Sequence, residues 1–174
     1  MGHAALSCTG NLGAKSKVGA LMPEVQHFPF PNSYRNYFGL KGEAAVDACC
    51  EYFERTLKDP ESGITKPAAV IIEPIQGEGG VNVAPVKFLQ TIRRVTQELD
   101  IPLIVDEIQC GMGRSGKLFA FEYAQIAPDV ILCSKAIGGS QPLSIVIYNK
   151  KLDLWQPGAH TGTFRGNQIA MKAG

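Results

Sequence analysis

Three short apolar runs, each ending at a charged side chain, constrain this chain more than any other feature of its sequence. They are Ala68-Ala-Val-Ile-Ile before Glu73, Pro102-Leu-Ile-Val before Asp106 and Glu107, and Asp129-Val-Ile-Leu-Cys before Ser134 and Lys135. Runs this short, bounded by polar and turn residues, suit strands buried in a sheet. Between the first two, Phe88, Ile92, Val95 and Leu99 recur at intervals of four, three and four, which predicts a helix with Pro85 at its first position. Residues 43–57 carry Ala45, Cys49, Tyr52, Phe53 and Thr56 at helical spacing, and Asp59-Pro-Glu-Ser-Gly stops that pattern. A short helix is expected between the second and third runs, a further strand at Leu143-Ser-Ile-Val-Ile-Tyr, and a polar loop over 158–167 before a helix that has barely begun by Gly174. The first forty residues are rich in Gly, Pro, Asn and Ser and end in Phe28-Pro-Phe-Pro-Asn-Ser-Tyr-Arg, which predicts a long connection.

Strands alternating with helices define an α/β fold with a mostly parallel sheet flanked by helices on both faces, and such sheets bind ligands outside the carboxyl ends of their strands. Glu73, Asp106 and Lys135 are then expected to converge. A lysine ending a buried strand is partly desolvated, which disfavours the ammonium and makes the nucleophilic amine accessible. An aspartate at the neighbouring strand end suits the task of keeping a ring nitrogen protonated, so that the ring draws electrons. Taken alone, a strand-end lysine is more often a surface residue snorkelling out of the sheet, and a strand-end aspartate is more often a loop cap.

The rest of the sequence narrows the partners. With 45% apolar and 19% charged residues the chain has the balance of a globular protein. Its net charge is +1 and its basic residues are scattered, so no footprint for nucleic acid or an anionic membrane is present, and a small neutral-to-anionic metabolite is the expected partner. It contains neither an apolar run of about 18 residues nor a signal-like start at Met1-Gly-His-Ala-Ala, which points to the cytoplasm. Five cysteines without C-x-x-C spacing are expected to be buried, reduced thiols. His3, His27 and His160 are too dispersed in sequence to propose a metal site, and core, loop or hydrogen-bonding roles are expected for them. Gly111-Met-Gly-Arg-Ser-Gly-Lys117 matches G-x-x-x-x-G-K, but Leu118 stands where a magnesium-binding hydroxyl is needed and no strand directly precedes Gly111, which argues against a phosphate loop.

Four stretches carry a resemblance to a known family: Glu73-Pro-Ile-Gln-Gly-Glu-Gly-Gly, Val105-Asp-Glu-Ile-Gln-Cys-Gly-Met-Gly-Arg-Ser-Gly, Ser134-Lys-Ala-Ile-Gly-Gly and His160-Thr-Gly-Thr-Phe-Arg-Gly-Asn. In order and spacing they resemble the motifs of the class III, omega-type aminotransferases. The resemblance implies a fold type I large domain, pyridoxal 5'-phosphate as cofactor, and a homodimer with active sites at the subunit boundary. Position by position, it implies that Lys135 carries the cofactor and shuttles the proton, that Asp106 partners the pyridine nitrogen, and that Gln109 donates to the phenolic oxygen. Thr163 resembles the residue that reaches the cofactor phosphate of the other subunit. Glu78 resembles the acid paired with a switching arginine, which lets one site accept both the amino donor and 2-oxoglutarate.

That arginine would lie beyond Gly174, and the family's phosphate loop and ring-stacking aromatic before Met1. Residues 1–174 are therefore expected to be a partial cofactor-binding large domain, without the family's N-terminal segment and C-terminal small domain, and with exposed sheet edges where those would pack. Within the family, Ile137-Gly-Gly-Ser-Gln-Pro-Leu-Ser and the stretch from Trp155 to Gln168 most resemble the diaminobutyrate:2-oxoglutarate branch. This implies transfer of the 4-amino group of L-2,4-diaminobutyrate to 2-oxoglutarate, giving aspartate 4-semialdehyde and glutamate. Ornithine, acetylornithine and 4-aminobutyrate enzymes are the alternatives, as is a catalytically silent fragment.

Overall fold

The computed structural model describes residues 2–32 and 34–174. Met1, part of the start read as lacking a signal, and Ser33 of the proline-rich stretch lie outside the described residues. The chain opens with two short helices, α1 (His3–Cys8) and α2 (Leu12–Lys15), where the sequence predicts only a connection. At six and four residues they are too short to show a helical period, and local hydrogen bonds define them instead. Asn11 caps α2 by accepting from Gly13 N, and the Ser7 hydroxyl donates to His3 O while accepting from Met22 N.

Helix α3 (Gly42–Lys58) and, after strand β1 (Val70–Ile72) and the small hairpin β2 (Ile75–Gln76) and β3 (Asn82–Val83), helix α4 (Val86–Glu98) form one layer. Their apolar faces meet: Val46, Cys49, Cys50 and Phe53 of α3 pack with Phe88, Ile92 and Val95 of α4 over Leu103. Each large side chain buried this way stabilises by about 1.5–3 kcal/mol. Pro85 is the N-cap of α4, in extended conformation, one residue earlier than its predicted place inside the helix.

The second layer is a sheet. Strands β4 (Leu103–Asp106), β5 (Val130–Cys133) and β6 (Ile145–Tyr148) join β1 in the order β1-β4-β5-β6. The pairs β1/β4 and β4/β5 are parallel and β5/β6 is antiparallel. The predicted short helix between β4 and β5 is a 3₁₀ segment (Ala120–Ala124), and two further 3₁₀ segments (Lys135–Gly138 and Lys150–Leu152) flank β6. A last helix, α5 (Gln168–Ala173), is capped by Asn167. The expected cover on both faces is not complete, because all four residues of β6 are exposed. Along β4 the alternation is sharp: Leu103 and Val105 are fully buried beneath the helices, whereas Ile104 and Asp106 are partly exposed.

One buried carboxylate locks these layers together. Asp129, at the start of β5, accepts from Leu103 N at 3.0 Å and Arg93 of α4 at 2.7 Å through one oxygen, and from Lys151 at 3.0 Å through the other. Its own N–H donates to Leu103 O, and its carbonyl accepts from Asn149 N after β6. Burial by itself would raise the Asp129 carboxyl, but Arg93, Leu103 N and Lys151 outweigh it and hold the group down at about 2. A folded value below the ordinary aspartate value of about 3.9 means that the stabilisation is complete above about pH 4 and is lost as pH falls toward 2. Asp129→Asn is therefore expected to cost on the order of 2 kcal/mol at pH 7 and to flatten the acid limb of stability between about pH 4 and 2. Urea unfolding across that range checks it, and an acid limb identical to the wild type would contradict the assignment.

Candidate active site

Parallel pairing brings the carboxyl ends of β1, β4 and β5 to one edge. Ile72 pairs with Val105 and Asp106 with Leu132, so Glu73, Asp106 and the Ser134-Lys135 step follow neighbouring strand ends. This is the predicted convergence. The closest contact within it is between Lys135 and Gln109: the ammonium Nζ donates to the amide Oε1. Gln109 lies in the turn after β4, where Asp106 Oδ1 accepts from Ile108 N at 3.0 Å and fixes the start of that turn. Asp106 is thus a loop cap through one oxygen, and among the described residues its Oδ2 has no hydrogen-bond partner.

The acid next to it has a different fate. Glu107 shares the buried face of Leu103 and Val105 and is 1% exposed. Its carboxylate accepts from Phe121 N at 2.9 Å, Ala120 N at 3.1 Å and the Cys110 thiol at 3.1 Å, so it is spent on capping the 3₁₀ segment. Burial, then this contact with Glu107, pushes the Cys110 thiol up to about 12, which removes it as a nucleophile. Cys49, Cys50 and Cys133 are also buried and their thiols raised chiefly by burial, while Cys8 is exposed; all five are free. A Cβ on Gly111 would lie 2.7 Å from Glu107 O, so the first glycine of the phosphate-loop-like motif is needed for a close turn.

Glu73 also caps: its Oε2 accepts from Gly77 N at 3.0 Å and closes the turn of the β2/β3 hairpin. Glu78 sits exposed in that turn. Thr163 is exposed in the loop before α5, and among the described residues it takes no part in the hydrogen bonds of Lys135, Gln109 and Asp106. A cavity of about 1050 Å³ lies between β6 and this loop, with Tyr148, Trp155, His160 and Arg165 among its lining residues; Asp106 and Lys135 do not line it, so its volume does not locate the chemistry. Lys135 differs from expectation in one respect. Its side chain is exposed rather than desolvated, because the chain leaves the sheet at Ser134 and turns out at once. That turn places Lys135 itself at φ 49°, in the left-handed region. Among the described residues there is no cluster of three metal-ligating side chains and no helix long and apolar enough to cross a membrane.

The sequence matches the class-III aminotransferase family over residues 2–174, and the chain belongs to that family. It is 58% identical over its whole length to the diaminobutyrate–2-oxoglutarate aminotransferase of Rhizobium meliloti (strain 1021), covering 37% of that protein, and 58% identical to its namesake from Haemophilus influenzae, covering 38%. The chain thus spans little more than a third of the length of these curated relatives. Among solved structures it is similar to an (S)-enantioselective omega-transaminase from Thermomicrobium roseum (TM-score 0.85, 32% identity, 99% of this chain and 39% of that one). It is also similar to a pyridoxal-phosphate-bound amine transaminase from an uncultivated Pseudomonas species (TM-score 0.87, 27% identity, 99% and 40%). The α/β fold with a mostly parallel sheet is that of these transaminases.

A left-handed lysine carries a backbone cost of roughly 1–2 kcal/mol that glycine does not. Lys135→Gly is therefore expected to be more stable than Lys135→Ala by about 1 kcal/mol, an inversion of the usual order. Paired urea titrations of the two variants check it, and Ala equal to or above Gly would show that the position is unstrained.

Proposed function

We propose that this chain is the cofactor-bearing part of a pyridoxal-phosphate-dependent aminotransferase that transfers the 4-amino group of L-2,4-diaminobutyrate to 2-oxoglutarate, giving aspartate 4-semialdehyde and glutamate. The observation that carries the reading is the Lys135–Gln109 contact at the sheet edge where Asp106 also ends its strand. The choice of donor rests on the relatives at 58% identity. In this reading residues 1–174 belong to a cofactor-binding large domain of a homodimer, in the cytoplasm, where the five free thiols stay reduced.

The residues present fit the cofactor. Lys135 offers an amine, Asp106 an open carboxylate oxygen, and Gln109 an Nε2 without a hydrogen-bond partner among the described residues, which suit an aldehyde, a ring nitrogen and a phenolic oxygen. Lys135, Asp106 and Gln109 would hold it, with Thr163 serving the phosphate of the partner subunit. When bound, pyridoxal 5'-phosphate supplies an electron-withdrawing ring that takes up the charge left when the amino donor's carbon loses its proton. Lys135 Nζ takes and returns that proton, and Gln109 Oε1 holds the amine in place between transfers. Asp106, whose Oδ2 is left open, would be the carboxylate available to hold a proton on the ring nitrogen. Glu78 pairs with an arginine while the amino donor is bound and frees it for the second carboxylate of 2-oxoglutarate.

Incubation with pyridoxal 5'-phosphate, borohydride reduction and peptide mapping test the assignment. Label is expected on Lys135 ahead of the exposed Lys41 and Lys66; label scattered over surface lysines favours the silent-fragment reading. With L-2,4-diaminobutyrate and 2-oxoglutarate, glutamate is expected to form, and Lys135→Ala to abolish it. A higher kcat/KM with ornithine, acetylornithine or 4-aminobutyrate would move the assignment to another class III reaction. Asp106→Asn is expected to keep the Lys135 label while slowing turnover at least about 100-fold, and an unchanged rate would remove Asp106 from its role.

A further inference from the structure

Gly77 is the residue where the hairpin turn meets the lysine site. A Cβ built there would stand 2.5 Å from both Cδ and Nε2 of Gln109 and 2.8 Å from its Oε1. No other side chain stands as close to that position, so the hairpin backbone itself forms the wall against which the Gln109 amide rests. Two hydrogen-bond sets hold the wall. Glu73 Oε2 accepts from Gly77 N at 3.0 Å, and Asn82, from β3, donates to Gln76 Oε1 at 3.1 Å and to Gly79 O at 2.8 Å. The amide in turn accepts from Lys135 Nζ. The path from Glu73 through Gly77 and Gln109 to Lys135 is a continuous series of contacts between the ends of β1, β4 and β5.

We propose that Gly77 is a positioning residue: the missing side chain there lets the Gln109 amide lie where it holds the Lys135 amine, and Glu73 fixes the height of the Gly77 backbone. The inference rests on the aminotransferase reading for its importance to the reaction, but its geometry is a property of this chain without cofactor. Gly77 has no left-handed φ, so alanine is compatible with its backbone. The atoms that a Cβ would meet are the far end of a flexible side chain. Gly77→Ala therefore displaces Gln109 rather than unfolding the hairpin.

The test reads the Lys135 amine directly. The cofactor-free chain is treated with an amine-reactive ester, and the labelling rate of Lys135 is measured by mass spectrometry against that of Lys172 in the same sample. In Gly77→Ala, Lys135 is expected to label roughly three- to tenfold faster, as an amine released from a hydrogen bond. In Gln109→Ala the same rise is expected, and adding Gly77→Ala to it should change nothing further, because residues acting through one contact are not additive. Glu73→Ala should reproduce part of the rise and Glu73→Gln, which keeps an acceptor for Gly77 N, should restore the wild-type rate. Gly19→Ala, whose Cβ would meet nothing within 4 Å, is the control and should leave Lys135 unchanged. Additive effects of Gly77→Ala and Gln109→Ala, or a Gly77→Ala chain with an unchanged melting profile and unchanged Lys135 labelling, would overturn the proposal. Failure of pyridoxal 5'-phosphate to label Lys135 would favour the silent-fragment reading while leaving this result standing.

Discussion

The buried carboxylate of Asp129 is the contact on which the positions of all the others depend. It lies at the amino edge of the sheet, far in sequence from Gln109 and Asp106, yet it decides where β4 and β5 start relative to one another by bonding Leu103 N while its own N–H bonds Leu103 O. Each strand residue advances about 3.3 Å and reverses the side chain's face. A slip of one residue would therefore carry Asp106 from its present face into the core and bring Glu107 out in its place. With two cations and a backbone N–H compensating it, the Asp129 charge is stable in the register observed and costly in any other.

Hydrogen-bond accounting then separates three acids that stand at or just after the ends of strands. Glu107 has both oxygens committed to the backbone of the 3₁₀ segment, with Cys110 added. Glu73 commits one oxygen to the hairpin and stands after the edge strand β1, with β4 between it and β5. Asp106 commits one oxygen to its own turn, and its strand is the direct neighbour of the strand that leads to Lys135. A carboxylate needs a free lone pair to hold a proton on a ligand. Of the three, Asp106 best combines that freedom with adjacency to the lysine, which is the physical support for its proposed role.

Much of this was legible in the residues. The apolar runs ending in Glu73, Asp106 and Lys135 fix strands because they are short, unbroken and bounded by turn formers, and the spacing of Phe88, Ile92 and Val95 fixes α4 because that helix buries one face. The distinction between Asp106 and Glu107 was available too, since Leu103, Val105 and Glu107 alternate onto one face. Other features had no local signal. Helices α1 and α2 are too short for a period, and the bond from Met22 N to the Ser7 hydroxyl forms only when the chain doubles back. The antiparallel direction of β6 and its open faces depend on what the strand pairs with, which an apolar run does not encode. The partial desolvation expected for Lys135 failed for a similar reason: the charge that ends a strand is shielded from water only if neighbouring chain covers it.

The exposed lysine changes how the site must achieve precision. A desolvated lysine is held by the packing around it, whereas an exposed one has several rotatable bonds and no wall. Here the constraint comes from two backbone features instead. The left-handed φ of Lys135 aims the side chain as the chain leaves β5, and the Gln109 amide, seated against Gly77, receives its far end. Both features cost little in contacts and draw on the stability of the sheet behind them, so the reactive group can remain accessible to a ligand while its position is set by strands that the ligand never touches.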